Sequence, residues 1–163
     1  SSSDSEREKY NQNRVTTLIN IADVRRNLGD PEQDRLAVEA YYNAIGLIGS
    51  RDKELLARTM MKAGSVWKES NDVVKAGRAS EFFDKAAFVY RDLGQRSNSA
   101  DAWIEAGKVH LRFKDTQGLN TASVFFNNAI KLLSGSELRE AGRRSSRSAS
   151  RNSRSSRRRW SRA

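Results

Sequence analysis

Apolar residues recur every three or four positions through most of the chain, in blocks that are separated by short polar or glycine-containing segments. This spacing places the apolar side chains on one face of an α-helix. Six such blocks lie between residues 6 and 135, and each is long enough for a helix of several turns. The pattern therefore predicts an all-α fold of six amphipathic helices joined by short turns.

Residues at the boundaries of the blocks predict where the helices begin and end. Glycine readily adopts the left-handed conformation that terminates a helix, and the predicted ends are Gly29, Gly49, Gly94 and Gly135. Asp30-Pro31 is the clearest start, because aspartate caps a helix and proline fits its first position. The other predicted caps are Asp4 or Ser5 in the first helix, Ser50 in the third, and Asn98 or Ser99 in the fifth.

The blocks repeat along the chain. Aligning residues 51–93 with residues 94–136, at an offset of 43, gives ten identical pairs. About three identities are expected by chance at ordinary composition. The paired positions are 57/100, 63/106, 64/107, 66/109, 72/115, 79/122, 80/123, 82/125, 83/126 and 86/129. Residues 24–44 join the same series at an offset of 42, so the chain predicts three helical hairpins.

An alanine–aromatic–alanine signature occurs in the second helix of each predicted hairpin. The alanines allow the two helices of a hairpin to approach closely, and the ring fills the space toward the next hairpin. The three instances are Ala37/Tyr41/Ala44, Ala79/Phe83/Ala86 and Ala122/Phe126/Ala129. Two of the rings have a phenylalanine immediately before them, about 100° around the helix, and these second rings are expected to pack on the neighbouring hairpin.

Small residues in the first helices complete a family resemblance. Ala63-Gly64 and Ala106-Gly107 each precede a large ring by three positions, Trp67 in one case and His110 in the other. With the signature above, residues 15–133 resemble tetratricopeptide repeats. The period of 42–43 is longer than the usual period of about 34, and the proline that usually ends a repeat is missing. Longer, irregular hairpins of this kind resemble those of the soluble NSF attachment proteins.

The resemblance implies a right-handed superhelix of three hairpins. It also implies protein binding through a concave face that is lined by the first helix of each hairpin. On this basis residues 1–5 are interpreted as a flexible start, residues 6–135 as the solenoid, and residues 136–163 as a basic tail. A non-catalytic adaptor or scaffold subunit of a larger assembly, with one or more protein partners, is the function that we expect.

Charge is concentrated in the tail. Residues 1–142 contain 21 Lys and Arg against 20 Asp and Glu, whereas residues 143–163 contain nine arginines and no acid. Low complexity and high charge density favour disorder in isolation, but arginines 143, 147, 151, 154, 158 and 162 would form one face of a helix. The candidate residues for an anionic partner are Arg143, Arg144, Arg147, Arg151, Arg154, Arg157, Arg158, Arg159, Trp160 and Arg162.

RNA is the anionic partner that we expect first, because arginine binds phosphate bidentately and tryptophan stacks on bases. The Ser-Arg alternation is similar to the arginine/serine-rich segments of RNA-processing proteins, and phosphorylation of its serines would cancel positive charge. Four alternatives stay open: a linker within a protein-only complex, docking on anionic lipid, a solubilising tail without a target, and a trafficking adaptor of the NSF-attachment type that needs no tail.

Catalytic, cofactor and metal sites are not expected. Histidine occurs once, at His110, where a structural role between helices is the interpretation, and cysteine does not occur. No glycine-rich phosphate loop is present, and no apolar run reaches the length of a transmembrane helix. We therefore expect a protein that is not an enzyme, in an intracellular compartment, either cytoplasmic or organellar. A start without Met leaves a processed N-terminus open.

Overall fold

The computed structural model describes residues 1–160, apart from the side chains of residues 136–141 and 153–160. Within this range the chain forms helices and turns, and no β-strand. The helices are α1 (Ser2–Leu28), α2 (Pro31–Ile48), α3 (Lys53–Trp67), α4 (Val73–Asp92), α5 (Arg96–Leu111) and α6 (Thr116–Trp160). The prediction of an all-α fold with six helices over these residues is confirmed.

Each helix packs against the next helix in the chain, so the order in sequence is also the order in space. The pairs α1–α2, α3–α4 and α5–α6 are the predicted hairpins, and α2–α3 and α4–α5 are the junctions between them. This arrangement is compatible with a helical-repeat solenoid. The right-handed superhelix stays a prediction.

Three of the four predicted glycine ends are confirmed. Gly29, Gly49 and Gly94 have φ angles of 74°, 53° and 74°, in the region that residues with a Cβ rarely adopt. The predicted start of the second helix is confirmed as well. The Asp30 side chain accepts a hydrogen bond of 2.9 Å from the Gln33 backbone N–H, and Pro31 occupies the first helical position.

Gly135 does not end the sixth helix, because α6 continues to Trp160 as one helix. The physical reason is that Gly135 lacks the positive φ angle that distinguishes the other three glycines. A glycine with helical backbone angles costs a helix only about 1 kcal/mol, which a long helix tolerates. The chain that follows contains alanine, arginine and serine but no proline, so nothing in it forces an end.

Several predicted caps are wrong by a few residues. The third helix is capped by Asp52, whose carboxylate accepts a 3.0 Å hydrogen bond from the Leu55 backbone N–H, and not by Ser50. A carboxylate competes well with a hydroxyl here because its negative charge also interacts favourably with the helix dipole. The first and fifth helices begin earlier than predicted, after Ser1 and Gln95.

The predicted core residues are largely buried. All six alanines of the three signatures are buried, as are Tyr41 and Phe83, while Phe126 is partly buried. Phe82 is buried in the same cluster as Phe83, whereas the other second ring, Phe125, stacks on His110 of its own hairpin. Val24 and Ile130 are exposed, because no other helix of the described chain covers the outer sides of α1 and α6.

The repeated glycine of the first helix lies directly against the repeated ring of the second helix. A Cβ added at Gly64 would be 2.8 Å from Cε1 of Phe83, and a Cβ added at Gly107 would be 2.7 Å from Cε1 of Phe126. Real Cβ atoms essentially never come this close to another carbon. The two helices can therefore approach to this distance only because the side chain of glycine is a hydrogen atom.

Replacing either glycine by alanine is expected to destabilise the fold. Gly64→Ala or Gly107→Ala forces the phenylalanine ring or the helix to move, which typically costs about 1–3 kcal/mol in a packed core. Thermal unfolding of each variant, followed by circular dichroism, measures the loss. For a chain of this size we expect a decrease in Tm of about 2–4 °C per kcal/mol.

Gly77→Ala is the matched control, because Gly77 is an exposed residue inside α4 with nothing within 4 Å of an added Cβ. Alanine there is expected to leave stability unchanged or to raise it by about 0.5–1 kcal/mol. Combining Gly64→Ala with Phe83→Leu should cost less than the two single changes added together. Equal effects of alanine at Gly64 and Gly77 would contradict the importance of the close contact.

Candidate nucleic-acid interface

The part of α6 beyond residue 135, which we call the C-terminal extension, is the most basic surface of the chain. Its helical portion, residues 136–160, spans about 37 Å at the rise of an α-helix. All side chains of residues 142–152 are exposed. Within residues 142–152, the extension therefore carries its charges on a surface that a partner can reach.

Helical geometry gathers five of the nine arginines of residues 143–163 on one side. With a rotation of about 100° per residue, arginines 143, 147, 151, 154 and 158 fall within an arc of about 80°. The opposite side has positions of small and polar residues, with position 159 at its edge: Ser145, Ala149, Asn152, Ser153 and Ser156. The predicted helical face of arginine is thus present in the backbone that the structure describes.

The structure describes the candidate residues to different extents. Four arginines have described side chains, and all four are exposed: Arg143, Arg144, Arg147 and Arg151. A second group lies within α6, but its side chains are outside the described residues: Arg154, Arg157, Arg158, Arg159 and Trp160. Arg162 lies outside the described residues altogether. A role for any of them in binding stays a prediction.

The charge of the extension favours an anionic partner, whereas the charge of the rest of the chain does not. Residues 143–163 contain no acid that could neutralise the arginines locally, while residues 1–142 are close to neutral. Arginine stays protonated at any physiological pH and offers five N–H donors in a planar fork. Such a surface can bind phosphates through paired hydrogen bonds without a preformed pocket.

A second polar surface, which we call the first-helix face, is formed by α1, α3 and α5. Lys62 of α3 places Nζ 2.8 Å from Oδ2 of Asp23 in α1, and Arg26 donates a 3.0 Å hydrogen bond to Oγ of Ser65. These contacts join residues that are 39 positions apart. They connect the first helices of two successive hairpins.

Equivalent contacts connect α3 to α5. Nζ of Lys68 lies 3.6 Å from Oε2 of Glu105. The guanidinium of Arg112 donates to the backbone carbonyls of Lys68 and Ser70, at 3.0 and 3.4 Å, and to Oδ1 of Asn71 at 3.1 Å. This network is not predictable from the sequence, since the repeat shows which helices are neighbours but not which surface charges face one another.

Asp23 is the centre of the network, because it also accepts a hydrogen bond from the Tyr41 hydroxyl of α2. Burial raises the pKa of Asp23, but the hydrogen bonds from Lys62 and Tyr41 and the charges of Lys62 and Arg26 together hold it below its ordinary value. Burial and the hydrogen bond to Asp23 raise the pKa of Tyr41. The ionised carboxylate and the neutral phenol therefore stabilise each other at neutral pH.

His110 lies against the core. Its ring stacks on Phe125 with a centroid distance of 5.8 Å, in agreement with a structural role. Burial lowers its pKa although the charge of Asp115 acts in the opposite direction. Among the described side chains, no group of three or more His, Asp and Glu residues is arranged to hold a metal ion. No described helix combines the length and the apolar character needed to span a membrane.

Comparison with known proteins identifies no relative. No protein-family model, curated protein or solved structure matches this chain. The resemblance to tetratricopeptide repeats therefore depends on the packing residues quoted above. Function has to be inferred from the exposed surfaces of this molecule.

Lys62→Met is expected to raise the pKa of Asp23, because it removes a hydrogen bond and a positive charge while the burial remains. A lowered carboxylate pKa stabilises the fold above the pKa of the unfolded chain, and this contribution is lost as the pH falls through the folded-state pKa. The variant should therefore show less loss of stability in acid below about pH 4. Titration of the Asp23 carboxyl carbon by NMR measures the shift directly.

Lys85→Met provides the control, since Lys85 pairs only with Glu81, one turn earlier in α4, among its described contacts. The pKa of Asp23 should not change in that variant. An unchanged Asp23 pKa in Lys62→Met would contradict the assignment of Lys62 as its main partner.

Proposed function

We propose that this protein is a non-catalytic adaptor or scaffold subunit whose C-terminal extension docks on RNA. The observation that carries the proposal is the row of exposed arginines Arg143, Arg147 and Arg151 on the helix that continues from the last hairpin of the array. The array supplies a rigid body, and the extension supplies the charge. RNA is preferred among anionic partners because phosphates occur along it at regular intervals and because its unpaired bases can stack on an aromatic ring.

Electrostatics account for the expected strength of binding. Each arginine that contacts a phosphate releases counterions, and the gain is large at low salt. The affinity of the extension should fall steeply as salt increases, by a slope of about 0.7 per contacted phosphate on single strands. Trp160, in the last turn of α6, is a candidate for stacking on an exposed base.

The body of the protein is proposed to bind protein. The TPR-like resemblance supports a right-handed superhelix whose concave side is the first-helix face. That face carries a network of mutually satisfied polar groups. Such groups are half-exposed and contribute little to stability individually, so they are available to reorganise around a polar partner. The first-helix face and the extension together would then join a protein to RNA in one assembly.

The test replaces the five arginines that share one face of the helix, at positions 143, 147, 151, 154 and 158, by glutamine. Glutamine keeps length and helix propensity while removing charge. Binding of labelled single-stranded RNA, measured by fluorescence anisotropy between 50 and 500 mM salt, should weaken by at least about a hundredfold at low salt. The slope of log affinity against log salt should decrease by up to about 3.5.

The matched control places five glutamines on the opposite side of the same helix, at positions 145, 149, 152, 153 and 156. That variant keeps every arginine, and its affinity and salt slope should equal those of the original protein. Equal binding by both variants would contradict docking through the arginine face. Failure of the original protein to bind RNA, together with saturable binding of an acidic protein, would favour the protein-only alternative.

A further inference from the structure

The last helix exposes a face that is covered in the preceding hairpin. In α4, Ala76, Ser80 and Ala87 are buried. Ser80 Oγ lies 3.5 Å from the carbonyl of Ala106 in α5, and the carbonyl of Ala87 accepts a 2.7 Å hydrogen bond from Ser99 of α5. The corresponding residues of α6, 43 positions later, are exposed. They form what we call the exit face: Leu119, Ser123 and Ile130.

The first helix exposes the complementary face. Ala102, Ala106 and Val109 of α5 are buried, and the corresponding positions of α3 are buried or partly buried. Ala106 lies against Ser80 in the second helix of the preceding hairpin, and α3 packs on α2. The equivalent positions of α1 are Thr17, Ile21 and Val24, which are exposed, as is Leu28 one turn further along the same face. Three apolar residues define what we call the entry face: Ile21, Val24 and Leu28.

We propose that the exit face of one copy of this protein packs against the entry face of a second copy. The contact would repeat the geometry that joins consecutive hairpins inside the chain. Both faces consist of positions that are buried or partly buried at the junctions within the chain. The second copy is the proposed occupant because it carries the entry face in the same repeat register.

Side-chain sizes at the centre of the contact support this pairing. In the α4–α5 junction the central pair is Ser80 with Ala106, and in the α2–α3 junction the equivalent pair is Val38 with Ala63. Between copies the equivalent pair is Ser123 with Ile21. A small residue thus meets a larger one, as Ala63 meets Val38 in the α2–α3 junction. The pair Ser123 with Ile21 has two more side-chain heavy atoms than Val38 with Ala63, so the intermolecular junction would be slightly wider.

The unusual lengths of the two terminal helices agree with the same geometry. Ala87 lies opposite Ser99 in the α4–α5 junction. By the repeat register, Ile130 would lie opposite Arg14 of the second copy. Residues 2–13 of that copy, which are mostly exposed in the single chain, would then lie beside residues 131–142. The arginines of the extension begin immediately beyond this overlap and stay accessible.

Charge is complementary where the overlap ends. Residues 2–8 contain three acids and one arginine. In the proposed register Asp4 lies about one helical turn from Arg143 and Arg144 of the other copy. Because the two faces differ, the contact is head-to-tail and leaves one free face at each end of a growing assembly. Repulsion between copies with a net charge of +10 opposes it, so association should increase with salt.

Sedimentation velocity over a concentration series in about 0.5 M salt, where charges are screened, tests the contact. The original chain should form dimers and longer species. Ile21→Glu with Val24→Glu removes the entry face, and Leu119→Glu with Ile130→Glu removes the exit face. Each double variant alone should stay monomeric, while an equimolar mixture of the two should form a one-to-one dimer, because each retains one working face.

Val124→Glu is the matched control, since Val124 and Ile130 lie on the same helix and are both 58% exposed. Val124 corresponds to Glu81, which is exposed in α4, so its replacement should leave association unchanged, whereas Ile130→Glu alone should weaken it at least tenfold. Circular dichroism confirms that all variants keep their helices. A monomeric original chain, an equal effect of Val124→Glu, or a mixture without dimers would each overturn the proposal.

Discussion

The contact between a glycine in the first helix and a phenylalanine ring in the second sets the distance between the helices of a hairpin. Two successive hairpins make this contact at the same place, one through Gly64 with Phe83 and the next through Gly107 with Phe126. In the first hairpin the equivalent residues are Ala22 and Tyr41, which are both fully buried. The alanines around each ring are buried because the helices are already close, so the rest of the core follows from this one spacing.

A fixed spacing within hairpins also determines how hairpins join. The small residues Ser80 and Ala87 of α4 face the next hairpin, and their positions recur with the period of the repeat. Each junction therefore buries the same positions in turn. The consequence appears at the two ends of the array, where the same positions have no neighbouring helix in the described chain and remain as exposed apolar faces.

Much of this architecture could be predicted from the sequence because the constraint is local and periodic. Small residues, rings and glycine ends recur at fixed offsets, and each has a direct physical meaning. Helix starts were harder to predict, since Ser50 and Asp52 are both good caps and only the path of the chain selects one. Gly135 shows the same ambiguity, because glycine permits a left-handed turn without requiring it.

The polar network on the first-helix face could not be predicted. Asp23 and Lys62 are 39 residues apart, and many other charged residues in these helices were equally plausible partners from sequence alone. Their pairing depends on the rotation of α1 relative to α3, which the buried contacts of α2 determine. The arginine face could be predicted in part. The spacing of the arginines is visible in the sequence, but they share one face only if the backbone is helical.

Continuity of α6 connects the core to the arginine face in a way that a flexible tail would not. Because α6 is one helix from Thr116 to Trp160, the backbone that carries the arginines continues the rotation set by the core contacts of the same helix. In the proposed head-to-tail assembly, every extension would leave from the same edge at regular intervals. Binding of one extension to an RNA would then raise the effective concentration of the next, which gives avidity without any new contact. Association between copies and binding to RNA would also reinforce each other, since phosphates neutralise the charge that keeps the copies apart.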